Sequence, residues 1–311
     1  MNTGVWEGRS DGLAIPRGKH KKARGPNGAK EPVIIDCHTH VFPDEVRRNR
    51  AKYARRDRAF GQIYGNERAK MVGVDELIRS MDEEGVDKAV VCGFSWMDNG
   101  LCAAGNDYIL EGMGRFPERI IGFGCVQPNS GDKAVEEAAR CIQLGMKGIG
   151  ELASYPPAPP LYTVDSLRPI CQILQKADLP LMLHSNEVVG HAYPGKCNIP
   201  LRSVYDFIRA FSGVRILLSH WGGGFFFYEL MPEVAKAAEM TWYDTAASPF
   251  LYDRRIYSVA VTIVGAEKVL FGSDYPLIRP SRYIKEIEGE GLGQEERRKI
   301  LGQNVKELLR L

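Results

Sequence analysis

The sequence has little that would take it into a membrane or out of the cell. No run approaches the roughly 18 unbroken apolar residues of a membrane span. The opening MNTGVWEGRSDGLAIPRG has no apolar stretch of the kind a secretory signal carries, so cytoplasmic residence is expected. Seven cysteines, at 37, 92, 102, 125, 141, 171 and 197, are odd in number and form no Cys-x-x-Cys pair, which argues against a disulfide framework or a cysteine-rich zinc site. No Gly-x-Gly-x-x-Gly opens a helix after the first candidate strand, which counts against dinucleotide binding. No fixed-period repeat is visible, which removes solenoids and propellers.

A strong charge imbalance is also missing, but the charge is unevenly placed. Residues 1–32 hold seven Lys/Arg against three Asp/Glu. Of 41 basic and 39 acidic side chains in all, 34 and 36 are left for the remainder. The nearly neutral body carries no nucleic-acid footprint. The Gly- and Lys-rich arm over 1–32 reads as a disordered basic extension.

From residue 33 onward, short apolar runs alternate with amphipathic segments. Candidate strands are VIIDC (33–37), KAVVCG (88–93), IIGFGCV (120–126), MKGIGEL (146–152), LPLMLHS (179–185), VRILLSH (214–220), TWYDTA (241–246) and KVLFGSD (268–274). Their continuous apolar character is that of strands buried on both faces. Helical spacing appears at Val74, Leu77, Ile78 and Met81, at Val135, Ala138, Ala139 and Ile142, at Leu167, Ile170, Cys171 and Leu174, and in a single closing helix over 294–310. Eight strands separated by helices point to an α/β fold, a single-domain (β/α)8 barrel over 33–311. Residues 41–73 form an unusually long connection, expected to be a lid-like loop.

In such a barrel, the chemistry sits at the C-terminal ends of the strands. The first strand ends in His38-Thr39-His40, and side chains two apart on an extended segment share a face. The fourth ends in Glu151, the fifth in His184, the sixth in His220 and the eighth in Asp274. Four of the six histidines thus fall at strand C-termini, a convergence that structural histidines do not produce. Imidazole with carboxylate suits zinc, with manganese or iron as alternatives.

His-x-His ending a first strand, a lone His, then SHWGGG and FGSDYP resembles the amidohydrolase superfamily. More narrowly, it is similar to the amidohydrolase-related branch containing aminocarboxymuconate-semialdehyde decarboxylase and small-acid hydrolases. The resemblance covers about 33–311. It implies a metal held by His38, His40, His184 and Asp274, with His220 as the acid/base or carbonyl-polarising residue. It also implies a glycine run, Gly222 and Gly223 included, that admits substrate close to the backbone. Glu151 departs from the decarboxylase-like pattern; it stands where binuclear relatives keep a bridging carboxylate, so one ion or two is left open.

The intact His-x-His pair tilts the expected reaction towards hydrolysis. Metal-bound hydroxide would attack the carbonyl of an amide, lactone or ester on a small carboxylated or aromatic substrate. Asp274 would shuttle the proton and His220 would stabilise the oxyanion. The alternative is a non-oxidative decarboxylase of a small aromatic or unsaturated acid, and a second alternative is a non-catalytic, metal-stabilised binding protein. Trp96, Trp221 and Tyr275 are expected to wall the pocket, and Arg279 or the loop arginines 47, 48, 50, 55 and 58 to clamp an acid. The expected partner is a small molecule, with dimerisation through the outer helices left open.

Overall fold

The structure, a computed structural model, describes residues 32–155, 163–197 and 199–311. The basic extension expected over 1–32 therefore lies, apart from Pro32, outside the described residues. All eight expected strands are present: β1 (Ile35–His40), β2 (Lys88–Cys92), β3 (Ile120–Phe123), β4 (Ile149–Leu152), β5 (Leu181–Leu183), β6 (Ile216–Leu218), β7 (Thr241–Asp244) and β8 (Val269–Leu270). They pair in parallel in two runs, β1-β2-β3 and β4-β5-β6-β7-β8.

Two narrow seams close the ring. A bridge between Gly124 and Ile149 joins β3 to β4, and one between Thr39 and Tyr275 joins β8 to β1. At the second seam, the Cys37 and His40 amides donate to the Phe271 and Tyr275 carbonyls, each at 2.8 Å. The result is a (β/α)8 barrel.

The strands are buried along nearly their whole length, which explains why their sequences are apolar throughout rather than alternating. Ile35, Cys37, Val90, Ile121, Phe123, Met182, Leu217 and Leu270 form one interior cluster, against which Val305, Leu308 and Leu309 of the last helix pack. Cys37 is thus part of this packing.

The helices sit outside. α1 (Asp44–Arg48), α2 (Arg50–Arg56), α3 (Arg58–Tyr64) and α4 (Val74–Glu84) follow β1; α5 (Asn99–Arg115) follows β2, α6 (Asp132–Gln143) β3, α7 (Val164–Ala177) β4 and α8 (Leu201–Ala210) β5. None of the described helices is long and apolar enough to cross a membrane.

Three local expectations need correction. The connection over 41–73 is no open loop. It folds into α1, α2 and α3, each too short for a periodic signal, and pins them down by burying Val46, Tyr53, Ala59 and Phe60. In α6 the buried side is Ala134, Glu137, Ala138 and Cys141, one step round from the predicted face. Small residues there let the helix approach the barrel, and Glu137 is tolerated because Asn106 and Arg140 donate to it, at 2.8 and 2.7 Å. The closing helix is broken into Gln294–Arg298 and Asn304–Leu309 by a π-turn over Lys299–Gln303. Gly302 sits at the break, where a Cβ would run into the Val33 carbonyl.

Candidate metal centre and active site

Six side chains named from the sequence meet at the C-terminal mouth of the barrel. From β1, His38 and His40 bring their Nε2 atoms to 3.0 Å of one another. Asp274, just past β8, places Oδ1 at 3.4 Å from His40 Nε2 and 3.8 Å from His38 Nε2. Glu151 from β4 places Oε2 at 3.6 Å from His38 Nε2, and Oε1 at 3.2 Å from His184 Nδ1 and 3.4 Å from His220 Nε2. Two overlapping sets, His38/His40/Asp274 and His38/Glu151/His220, each have ligand atoms within 4.8 Å of one another.

The far nitrogen of each ring shows why these imidazoles point as they do. His38 Nδ1 lies 2.8 Å from Asp244 Oδ2, His220 Nδ1 3.1 Å from the Ala246 carbonyl and His40 Nδ1 3.3 Å from the Gly93 carbonyl. Acceptors at Nδ1 fix an N–H there and turn Nε2 towards the centre, the usual support of a metal-binding histidine. His184 is turned the other way: Nε2 faces the Gly195 carbonyl at 3.1 Å and Nδ1 faces Glu151. All these donors are nitrogen or oxygen, so the set suits a divalent ion of the zinc, manganese or iron type.

Charge is concentrated here to an unusual degree. Burial opposes charge on His38, but the carboxylates of Glu151 and Asp244 overcome it and hold the imidazole well above its ordinary range. Burial likewise works against Glu151, yet the charges of His38 and His184 and hydrogen bonds from His184 and His220 leave it well below the usual carboxylate range. Asp274 is lowered in the same manner, against burial, by His40, His38 and His220. Groups so displaced are typical of functional sites.

The cluster opens into a cavity of about 410 Å³, within the size range of small-ligand pockets. His40, Glu151, His184, His220 and Asp274 line its floor, and Tyr64, Phe94, Tyr155, Phe250 and Leu277 its walls. Tyr155 and Phe94 lie parallel at 6.0 Å, with interplanar angle 2°. Tyr64 comes from α3, so the insertion after β1 does cover the site. Burial, reinforced by nearby acidic groups, pushes the phenols of Tyr64 and Tyr155 up, so both stay neutral.

Other predicted residues lie elsewhere. Trp221 is fully buried, with Nε1 donating to Ser248 Oγ at 2.6 Å. Gly222 and Gly223 hold left-handed backbone at φ 62° and 60°, and a Cβ on Gly223 would overlap the Asn186 backbone; the run packs one loop on another. Trp96 stacks on Phe60 at 4.6 Å and lines a separate cavity. Tyr275 contributes its carbonyl to the β8–β1 seam. Arg279 is exposed and donates to Glu84 at 3.0 Å, away from the cavity.

Sequence reasoning passed over Asp244. Its Oδ2 meets His38, while its Oδ1 accepts from the His220 and Ala246 amides at 2.8 and 3.0 Å. The same rule that found Asp274 would have found it, since it ends β7. Asp36 was missed too: burial pushes its carboxyl up to about 7 despite hydrogen bonds from Ser273 and His38, and it ties β1 to the β8 loop.

With this geometry in hand, comparison with known proteins is informative. The sequence model of a family described as Amidohydrolase matches residues 35–311. A 2-amino-3-carboxymuconate-6-semialdehyde decarboxylase of Dictyostelium discoideum is 24% identical over a stretch covering 66% of this chain and 65% of that protein. A gamma-resorcylate decarboxylase of a Polaromonas species is 22% identical, covering 76% of this chain and 87% of its own. Among solved structures, 5-carboxyvanillate decarboxylase of Novosphingobium aromaticivorans, with bound manganese and 3-methoxy-4-hydroxy-5-nitrobenzoic acid, superposes with a TM-score of 0.72 at 16% identity, over 90% of this chain and 98% of that one. The expectation of hydrolysis is corrected by these findings: the relatives are named as decarboxylases, and an intact His-x-His pair does not by itself select hydrolysis.

Proposed function

Because the chain belongs to the amidohydrolase family, we propose that it is a metal-dependent, non-oxidative decarboxylase of a small hydroxylated aromatic or unsaturated acid. The observation that carries this reading is the cavity itself. Flat aromatic walls from Phe94, Tyr155 and Tyr64 descend to a floor where an ionised aspartate stands among histidines.

His38, His40 and Asp274, with Glu151 and His184 beside them, would hold the ion. Manganese is the first choice, on the strength of the manganese-bound relative, and zinc the second. When bound, the ion supplies positive charge that fixes the acid's carboxylate and its neighbouring hydroxyl. The protein's residues then manage one proton. Asp274, held ionised at rest, accepts the hydroxyl proton of the substrate and delivers it to the ring carbon bearing the carboxylate. The bond to the carboxylate carbon breaks, its electron pair returns to the ring, and CO2 leaves. His220, its Nδ1–H fixed on the Ala246 carbonyl, orients the substrate's oxygen. Tyr64 and Phe94 exclude water from the carbon that is protonated.

The test is CO2 release from 2,6-dihydroxybenzoate and 5-carboxyvanillate by manganese-loaded protein, beside hydrolysis of a lactone and an anilide. Asp274→Asn should lower decarboxylation by roughly 10²–10⁴-fold, the usual weight of a positioned acid–base, while metal analysis shows an ion still held. Ester or amide turnover with no CO2 from any aromatic acid would sink the proposal.

A further inference from the structure

The insertion after β1 is rich in cations, and more than half of them are engaged by a side chain or carbonyl. Arg47 is paired with Asp44 and Glu76, Lys52 with Glu45 and Arg56 with Asp98. Arg50 spends its guanidinium on the carbonyls of Asn66 and Ala69. None of these lines the active-site cavity.

Lys70 differs on both counts. Among the described residues it is the one Lys or Arg on the wall of that cavity. Its ammonium touches only the Leu277 carbonyl, at 3.4 Å, and no described carboxylate lies within ion-pair reach. It is solvent-exposed, so it stands at the rim, whereas Glu151 and Asp274 are on the cavity floor.

With the reacting carboxylate held on the floor, the ammonium of Lys70 is, among the described residues, the one Lys or Arg charge left on the wall to receive a second anionic group. The cavity's 410 Å³ leaves room for a ring with a substituent beyond the reacting carboxylate.

We propose that Lys70 is a specificity-determining residue that binds an anionic substituent of the substrate, a second carboxylate, on the side of the ring away from the reacting group. The inference rests on the decarboxylase reading and sharpens its substrate class to aromatic diacids. Lys70 acts on binding and takes no part in proton transfer.

The experiment is calorimetric binding of salicylate and of 5-carboxysalicylate to manganese-loaded protein at fixed low salt, for the parent, Lys70→Met and Lys70→Arg. The parent should prefer the diacid by roughly tenfold, the low end for a charge-assisted contact at a wet rim. Lys70→Met should abolish that preference and leave salicylate affinity within about twofold, since the acid's contacts on the floor are untouched. Lys70→Arg should keep it. Equal binding of both acids by the parent, or a preference that survives in Lys70→Met, overturns the role of Lys70 alone. Failure of the parent to bind either acid overturns the decarboxylase reading along with it.

Discussion

The ends of β1 and β6 both deliver imidazoles to the same centre, and they do so by opposite means. At β1 the chain stays extended, so that residues two apart face the same way and His38 and His40 arrive together. At β6 the backbone turns left-handed from His220 through Gly224, with φ between 54° and 88°. One histidine is delivered, and Trp221 is swung away to bury itself against Ser248. An extended end multiplies ligands; a coiled end supplies one and uses its glycines to seat the neighbouring loop. Asp244 links the two, bonding the His38 ring with one oxygen and the His220 amide with the other.

The comparison can be broken most severely at Gly223. Alanine there adds a Cβ against the Asn186 backbone in a conformation that costs non-glycine residues about 1–2 kcal/mol before any clash. With overpacking added, Gly223→Ala should lose about 3 kcal/mol in urea unfolding; a loss under 1 kcal/mol would mean that the coiled end is free to relax. The same substitution should leave any folded fraction able to bind metal, because no site ligand moves with it.

Cutting the link between the two ends comes next. In Asp244→Asn one acceptor becomes a donor, so either the His38 ring or the His220 and Ala246 amides face an N–H. Metal affinity should fall about 10–100-fold, the usual effect of removing a partner behind a ligand histidine. Chelator competition reads this directly. Unchanged affinity would show that the His38 ring is oriented by packing alone.

The smallest effect is expected away from both ends, on α6, as the control. Glu137 is pulled below its usual range, against burial, by Arg140 and hydrogen bonds from Asn106 and Cys141. A lowered carboxyl stabilises the fold above its unfolded pKa, near 4.5, and loses that contribution as pH falls through its folded value. Glu137→Gln should therefore melt below the parent at pH 7, and the gap should narrow as pH falls below the unfolded value. A gap constant with pH would assign the effect to shape rather than charge.

How far the sequence revealed this depends on what each residue's role depended on. Strands and the side chains at their tips were legible because both obey local rules: double-sided burial makes apolar runs, and barrels gather polar tips after them. His38, His40, Glu151, His184, His220 and Asp274 were all placed at one mouth that way. Trp221 and Gly223 were read as substrate contacts because glycine near a site suggests close approach, yet which body approaches is a tertiary fact. Arg279 was a candidate clamp, but Glu83 and Glu84, far off in sequence, hold it outside. Residues 44–64 showed no helical period because five- to seven-residue helices are shorter than two full turns.

The β8–β1 seam carries a consequence for how the molecule comes apart. His38 and His40 lie on one side of that join and Asp274 on the other, so an ion held by all three would be a rivet through one of the two narrow seams of the wall. Loading and folding then become a single equilibrium. Stripping the ion would loosen the barrel along one vertical line, and stability would depend on how much free metal surrounds the protein. A cell that starves this protein of its ion would thus lose the vessel as well as the catalyst.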